Sequence, residues 1–155
     1  MKRNIVRLTL AILSFAVLLA SLAPAAHAAT CSTATVAGNW GLTLTGTLLL
    51  PTGPVPAAAV VRATADINGN LTGTEGRNVG GGYADETFNG NWTVNADCTA
   101  TGTVSFYQAG QLVRTSVLTL VFDNNSREVR MVQKSLTLPD GTELPVVVTV
   151  EGRKQ

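Results

Sequence analysis

Apolar and polar side chains alternate along most of this chain. Leucine and threonine alternate at residues 42–48, and valine takes every second place from residue 146 to residue 150. A period of two is typical of a β-strand with one buried face. Dipeptides that tolerate positive φ, such as Asn68-Gly69 and Asp140-Gly141, separate these segments at intervals of about 8 to 15 residues. No segment after residue 28 repeats with the helical period of 3.6.

The regular spacing of turn signals between alternating segments predicts an all-β domain of about eight strands. Antiparallel strands joined in sequence order favour a single up-and-down barrel. The predicted strands are 36–50, 57–67, 70–79, 86–95, 99–107, 111–122, 127–138 and 143–151.

The predicted connections differ between the two ends of this barrel. If each strand reverses direction, the connections after strands 2, 4 and 6 share one end with both termini, and all three are short. At the opposite end, residues 51–56 and 80–85 form longer connections. We therefore expect a ligand mouth at the end with the longer loops.

The N-terminal segment has the pattern of an export signal. Lys2, Arg3 and Arg7 precede an apolar run over residues 8–22, and Ala26-His27-Ala28 is a small-residue cleavage site. We predict a signal peptide over 1–28, a single β-barrel domain over 29–155, and a secreted or periplasmic location. No later apolar run reaches the roughly 20 residues of a membrane-spanning helix.

Cleavage changes the charge balance. It removes three cations, which leaves eight basic and ten acidic side chains and a net charge of −2. No basic stripe remains to displace counterions from phosphates, so a nucleic-acid partner is not expected.

Two cysteines, Cys31 and Cys98, remain after cleavage. An even number of cysteines in an exported chain predicts a disulfide, because the compartments outside the cytoplasm are oxidising. In the up-and-down barrel both residues lie at the same end, so the bond agrees with that topology.

A β-sandwich is the alternative architecture. Cys31, Trp40 and Cys98 imitate the Cys…Trp…Cys spacing of immunoglobulin domains. However, Cys31 begins the mature chain and leaves no room for a preceding strand. Ala96 also stands where that fold has its corner tyrosine.

Most of the mature chain resembles a group of small, exported, uncharacterised bacterial proteins. The matching segments are Cys31 with Gly38-Asn39-Trp40-Gly41, the hairpin over residues 66–73, and the strand over residues 88–99. The group usually has glycine where this chain has Ala100. This resemblance implies an exported protein and carries no known activity.

A shorter segment resembles the calycin superfamily of lipocalin and avidin barrels. Gly38-Asn39-Trp40 matches the Gly-x-Trp of their first strand, and residues 70–74 are similar to an early avidin strand. The resemblance implies an up-and-down barrel with a late basic residue across from Trp40, here Arg153 or Lys154. Biotin binding is not implied, because avidin sites need tryptophans beyond Trp40 and Trp92.

The mature chain offers little for catalysis. Its only histidine leaves with the signal peptide, so Ser-His-Asp and Cys-His arrangements are absent. Two acidic residues that approach across strands and face a cleft would suffice for glycoside hydrolysis, so a carboxylate-dependent enzyme is a third hypothesis. We prefer to interpret the acidic residues as solvated carboxylates, because Asp66 and Asp97 lie at turns and Asp85-Glu86 in a Gly-rich loop. No enzyme activity, cofactor or metal site is therefore expected. The acidic residues considered are Asp66, Glu75, Asp85, Glu86 and Asp97.

The preferred functional hypothesis is a binding barrel for a small apolar or amphipathic molecule. Trp40, Trp92, Tyr83 and Arg114 are the candidate cavity residues. The tryptophans supply apolar surface, and Tyr83 and Arg114 supply polar contacts.

The alternative hypothesis is a structural or interaction protein at the cell surface. Strands 6 and 8 are apolar on both faces, and a strand of that kind needs cover on both sides. This hypothesis predicts a homo-oligomer that forms through apolar outer strand faces.

Overall fold

A computed structural model describes residues 30–123 and 125–155; the predicted signal peptide lies outside these residues. Each strand pairs antiparallel with the next, and β8 pairs with β1, which closes an eight-stranded barrel. The predicted all-β up-and-down barrel is thus confirmed, and the sandwich is not adopted. Within the described residues, one short helix precedes the strands. The elements are α1 (Thr33–Val36), β1 (Gly38–Leu50), β2 (Gly53–Ala65), β3 (Asn70–Val79), β4 (Gly82–Val94), β5 (Thr99–Gln108), β6 (Gln111–Asp123), β7 (Glu128–Thr137) and β8 (Val146–Lys154).

Helix α1 covers one end of the barrel, which we call the α1 end. Ser32 and Thr35 form a reciprocal capping box that starts the helix. Val36 is fully buried, and the indole Nε1 of Trp40 donates a hydrogen bond to its carbonyl oxygen at 3.0 Å. The helix therefore closes this end of the barrel and packs next to Trp40, the first inward-facing tryptophan.

The predicted disulfide joins Cys31 to Cys98 and fastens α1 to the β4–β5 turn. The two Cα atoms are 4.9 Å apart, across a sequence separation of 67 residues. The backbone N–H of Cys31 also donates to the carbonyl oxygen of Ala96 at 3.3 Å. A disulfide is compatible with the predicted export of the protein.

The prediction of two long loops at the opposite end is wrong. β2 begins at Gly53 and β4 at Gly82, so those connections have two residues each, 51–52 and 80–81. Pro54 and Pro56 continue β2, because its ladder with β3 begins only at Ala57 and leaves them on an edge. Proline is tolerated on an edge, where no partner needs its missing N–H. We call this the hairpin end; its longest connection is 138–145.

Aromatic side chains fill the barrel next to the α1 end. Trp92 makes T-shaped contacts with Trp40 and Phe122, at centroid separations of 6.3 and 5.2 Å. Farther along the barrel, Phe88 packs on Phe106 at 5.5 Å. All five rings belong to buried residues, so they form the solid part of the core.

Gly73 makes room for one of these rings. A Cβ at residue 73 would collide with the carbonyl oxygen of Arg62 and with the ring of Phe88, its partner across the β3–β4 ladder. We expect Gly73→Ala to lower the free energy of unfolding by about 1–3 kcal/mol, the usual range for overpacking. Urea denaturation measures this change. Gly82→Ala is the control, since its Cβ would approach nothing closer than 3.4 Å; equal losses in both variants would contradict the prediction.

Candidate ligand cavity

The barrel encloses a cavity of ≈ 90 Å³ that is lined by side chains from all eight strands. Trp40 and Trp92 lie in its wall nearest the α1 end. Leu42, Leu44 and Leu118 line it at inward-facing positions and are nevertheless only partly buried. Inward-facing leucines in a filled barrel would be fully buried, so the interior beside these three is not completely packed.

One side of the cavity is polar. The polar side chains lie on β3, β6 and β7, whereas the lining from β1, β2 and β8 is apolar. We call this side the polar wall; its members are Glu75, Arg77, Arg114, Ser116 and Gln133.

Four charged side chains form a connected group at the polar wall, which we call the quartet: Glu75, Arg77, Glu86 and Arg114. The Nη2 of Arg114 lies 2.6 Å from Oε1 of Glu75, and its Nη1 donates to Oε2 of Glu86. The Nη2 of Arg77 lies 2.7 Å from Oε1 of Glu86, and its Nε lies 3.7 Å from Oε1 of Glu75. Two carboxylates and two guanidiniums balance each other.

The register of the β3–β4 ladder brings the two glutamates of the quartet together. Glu75 and Glu86 are direct partners across the β3–β4 ladder, and both side chains are almost fully buried. Like charges at such a pair repel each other, so this arrangement depends on the cations. Arg114 meets both acids while its guanidinium carbon lies 3.8 Å from the centroid of the Phe106 ring, a cation–π contact.

The same surroundings move the two acid pKa values in opposite directions. Burial raises the pKa of Glu75, and the charge of Arg114 offsets only part of that rise. Burial also acts upward on Glu86, but the hydrogen bond from Arg77 and the charge of Arg114 outweigh it and lower the pKa of Glu86. Glu86 is therefore the more firmly ionised of the two.

The interpretation of all acidic residues as solvated is wrong for Glu75 and Glu86. The sequence contained a signal for their burial. Glu75 is an even number of residues from Leu71 on β3, and Glu86 is an even number from Phe88 on β4, so each acid shares a strand face with a buried apolar residue. In contrast, Asp66 accepts the backbone N–H of Asn68 in an exposed turn, as expected.

Asp97 and Asp85 likewise have the exposed positions predicted for them. Asp97 accepts the backbone N–H of Thr99 at 3.0 Å, and Asp85 accepts a hydrogen bond from a neighbouring tyrosine. Neither carboxylate lines the cavity.

Three of the four predicted cavity residues, Trp40, Trp92 and Arg114, line the cavity. The fourth, Tyr83, does not: its side chain is 66% exposed on the outer surface, and its hydroxyl donates to Asp85 at 2.6 Å. Tyr83 falls in the predicted 80–85 connection, but β4 begins at Gly82 and gives Tyr83 an outward-facing strand position. A ligand role for the other three stays a prediction.

Sequence reasoning missed Ser116 and Gln133, which complete the polar wall. The side-chain nitrogen of Gln133 donates to Ser116 Oγ at 2.9 Å and to the carbonyl oxygen of Ser135 at 3.2 Å. The β6–β7 register shifts at this point, because Val117 pairs with Ser135 and Leu118 with Gln133. No sequence pattern announces such a β-bulge.

Of the two late basic residues considered from the calycin resemblance, Lys154 lies next to Trp40. It is the register partner of Trp40 on β8, and its Nζ donates to the carbonyl oxygen of Thr35 at 3.1 Å. Arg153 faces outward and lies 3.6 Å from Glu128. Lys154 thus helps to hold α1 over the barrel end.

Within residues 30–123 and 125–155, no group of three or more His, Cys, Asp or Glu side chains is arranged to hold a metal ion. In the same part of the chain, no helix has the length and apolar character needed to cross a membrane.

Comparison with known proteins shows the fold and no more. No family model matches the chain, and no curated protein matches its sequence. The solved structure of a redesigned β-barrel, mFAP1, bound to DFHBI gives a TM-score of 0.48 at 15% identity, covering 80% of this chain and 98% of that one. EF1p2_mFAP2b bound to DFHBI gives 0.53 at 12% identity, covering 81% and 100%. The second likeness agrees with a calycin-like eight-stranded barrel.

Proposed function

We propose that this protein is an exported, non-enzymatic barrel that holds a small apolar or amphipathic molecule in its interior. The observation that carries the proposal is an incompletely filled interior cavity with an apolar side and a polar wall. Burying the apolar part of a ligand there removes hydrocarbon surface from water, and the polar wall orients the remaining part.

The size of the cavity favours a slim ligand. At ≈ 90 Å³ it is smaller than a cavity of about 150 Å³ that admits benzene. A linear aliphatic chain can place only part of its length in this space and extend along the lining toward Leu48 and Val79 near the hairpin end, which a ring system cannot do. The solved barrel EF1p2_mFAP2b, which is bound to DFHBI, supports the view that a barrel of this fold can hold a small molecule.

The quartet favours binding over catalysis. A general acid or base must reach the proton that it transfers. Glu86 does not line the cavity, and both of its oxygens accept hydrogen bonds from guanidinium groups. Glu75 is thus the one carboxylate among the described cavity-lining residues, and the second carboxylate that glycoside hydrolysis needs does not face a ligand there. We therefore assign these carboxylates to the structure of the polar wall.

Native mass spectrometry of the mature protein from the extracytoplasmic fraction of its own host tests the proposal. We expect a reproducible non-covalent mass beyond that of the chain. Ala57→Leu should abolish the added mass, because Ala57 lines the cavity and the larger side chain fills it. Ala58→Leu is the matched control on the exposed outer face. Retention of the added mass by Ala57→Leu would place the ligand elsewhere.

An interaction protein remains the second candidate, because apolar side chains are exposed on the outer surface. Val132 and Val147, on the adjacent strands β7 and β8, are 57% and 64% exposed. The same mass spectra separate the two functions. A bare chain at multiples of the subunit mass, with no added ligand, would favour the interaction protein.

A further inference from the structure

We propose that the cavity selects ligands with an uncharged polar head group, such as an alcohol or an amide, over anions and cations with the same hydrocarbon chain. The inference rests on the proposed function and narrows its ligand class. It follows from the charge balance of the quartet and from the hydrogen-bonding groups beside it.

With its two carboxylates ionised, the quartet has no net charge to offer a ligand, because its two guanidiniums cancel them. Its side chains are 1% (Glu75), 0% (Glu86), 8% (Arg114) and 24% (Arg77) exposed. Among the described residues that line the cavity, Glu75, Arg77 and Arg114 are the ionisable ones. A charged head group would therefore leave one uncompensated charge in a buried space, which is strongly unfavourable.

The guanidinium of Arg114 is also unsuited to capture an anion. Its Nη1 and Nη2 hold the two carboxylates, and its flat face covers the ring of Phe106. An incoming anion would lie beside the two buried carboxylates that already neutralise this guanidinium, and the like charges would repel one another.

Ser116 and Gln133 supply what a neutral head group needs. Ser116 Oγ accepts a hydrogen bond from the Gln133 side-chain nitrogen, so its own O–H can still donate. The side-chain nitrogen of Gln133 donates hydrogen bonds to Ser116 and Ser135. Among the described residues, no side chain donates a hydrogen bond to the amide oxygen of Gln133. One donor and one acceptor thus lie side by side, which matches an alcohol or an amide.

Calorimetric titration with three probes of one chain length tests this selectivity. The probes are n-octanol, n-octanesulfonate and n-octylammonium at neutral pH. For the wild-type protein we expect n-octanol to bind at least about tenfold more tightly than either ion. Tighter binding of an ion, or equal binding of all three probes, would overturn the inference.

Charge-changing variants supply the second test. Glu75→Gln leaves the quartet with one net positive charge and should strengthen n-octanesulfonate binding about tenfold. Arg77→Gln leaves one net negative charge and should do the same for n-octylammonium. Asp85→Asn makes the same charge change as Glu75→Gln on the exposed outer face, and should alter neither. Thermal melts verify that each variant is folded.

The outcomes distinguish this inference from the proposed function. If n-octanol binds and the variants leave ion affinities unchanged, charge balance does not set the selectivity, although the binding function stands. If none of the three probes binds the folded wild-type protein, the proposed function fails and the inference fails with it.

Discussion

Removal of the Cys31–Cys98 bond is expected to lower the free energy of unfolding by about 4 kcal/mol. The bond closes a loop over a sequence separation of 67 residues, and the unfolded chain gains the entropy of that loop when the bond is absent. Urea denaturation of the Cys31→Ala/Cys98→Ala double variant measures the loss against the oxidised wild-type protein.

Loss of the Cys31–Cys98 bond should also affect the position of α1, in addition to the entropy of the unfolded chain. Cys31 lies directly before α1, and Val36 of that helix accepts the indole hydrogen bond of Trp40. Without the bond, α1 should loosen and expose Trp40, which a red shift of the tryptophan emission reports. Ser32→Ala is the control: it removes only the helix cap, so its expected loss is about 1 kcal/mol. A double variant as stable as this control would contradict the predicted loss, and an unshifted tryptophan emission would show that α1 stays in place without the bond.

Arg114→Met is expected to destabilise the protein by about 3–5 kcal/mol at neutral pH, because it leaves two buried carboxylates facing each other. Arg77 alone would remain to compensate Glu75 and Glu86. Arg130→Met is the matched control. Arg130 pairs with Asp123 on the surface, where its side chain is 66% exposed, so its loss should stay below about 1 kcal/mol.

The pH dependence of Arg114→Met gives this prediction a signature beyond stability. In the wild-type protein the lowered pKa of Glu86 stabilises the fold above the ordinary value of 4.5, and this contribution is lost as pH falls through the folded-state pKa. Loss of the guanidinium raises the pKa of both carboxylates in the folded state.

The folded variant therefore binds protons more tightly than its unfolded chain. The deficit of Arg114→Met relative to the wild-type protein should accordingly shrink as the pH falls from about 7 to about 5. Urea titrations at several pH values measure it. A deficit that stays constant with pH would show that lost packing on Phe106, and not buried charge, causes the destabilisation.

The sequence by itself determined the fold class, the number of strands and the disulfide. Alternation with a period of two is a local property, because each residue's face follows from its strand parity. The positions of Leu44 and Thr45 on opposite faces of β1 needed no knowledge of the partner strands. Cys31 and Cys98 were predictable for another reason, since two cysteines in an oxidising compartment have a single intramolecular pairing.

The tertiary structure alone decided which side of the cavity is polar and how the ends of the barrel are closed. Glu75 and Glu86 are buried because Arg114 reaches them from across the barrel, 39 and 28 residues away in sequence. Pro54 and Pro56 lie in the predicted 51–56 connection, but they continue β2 beyond the start of its ladder with β3 at Ala57. Edges, bulges and partners distant in sequence arise when the sheet closes, and local patterns do not encode that closure.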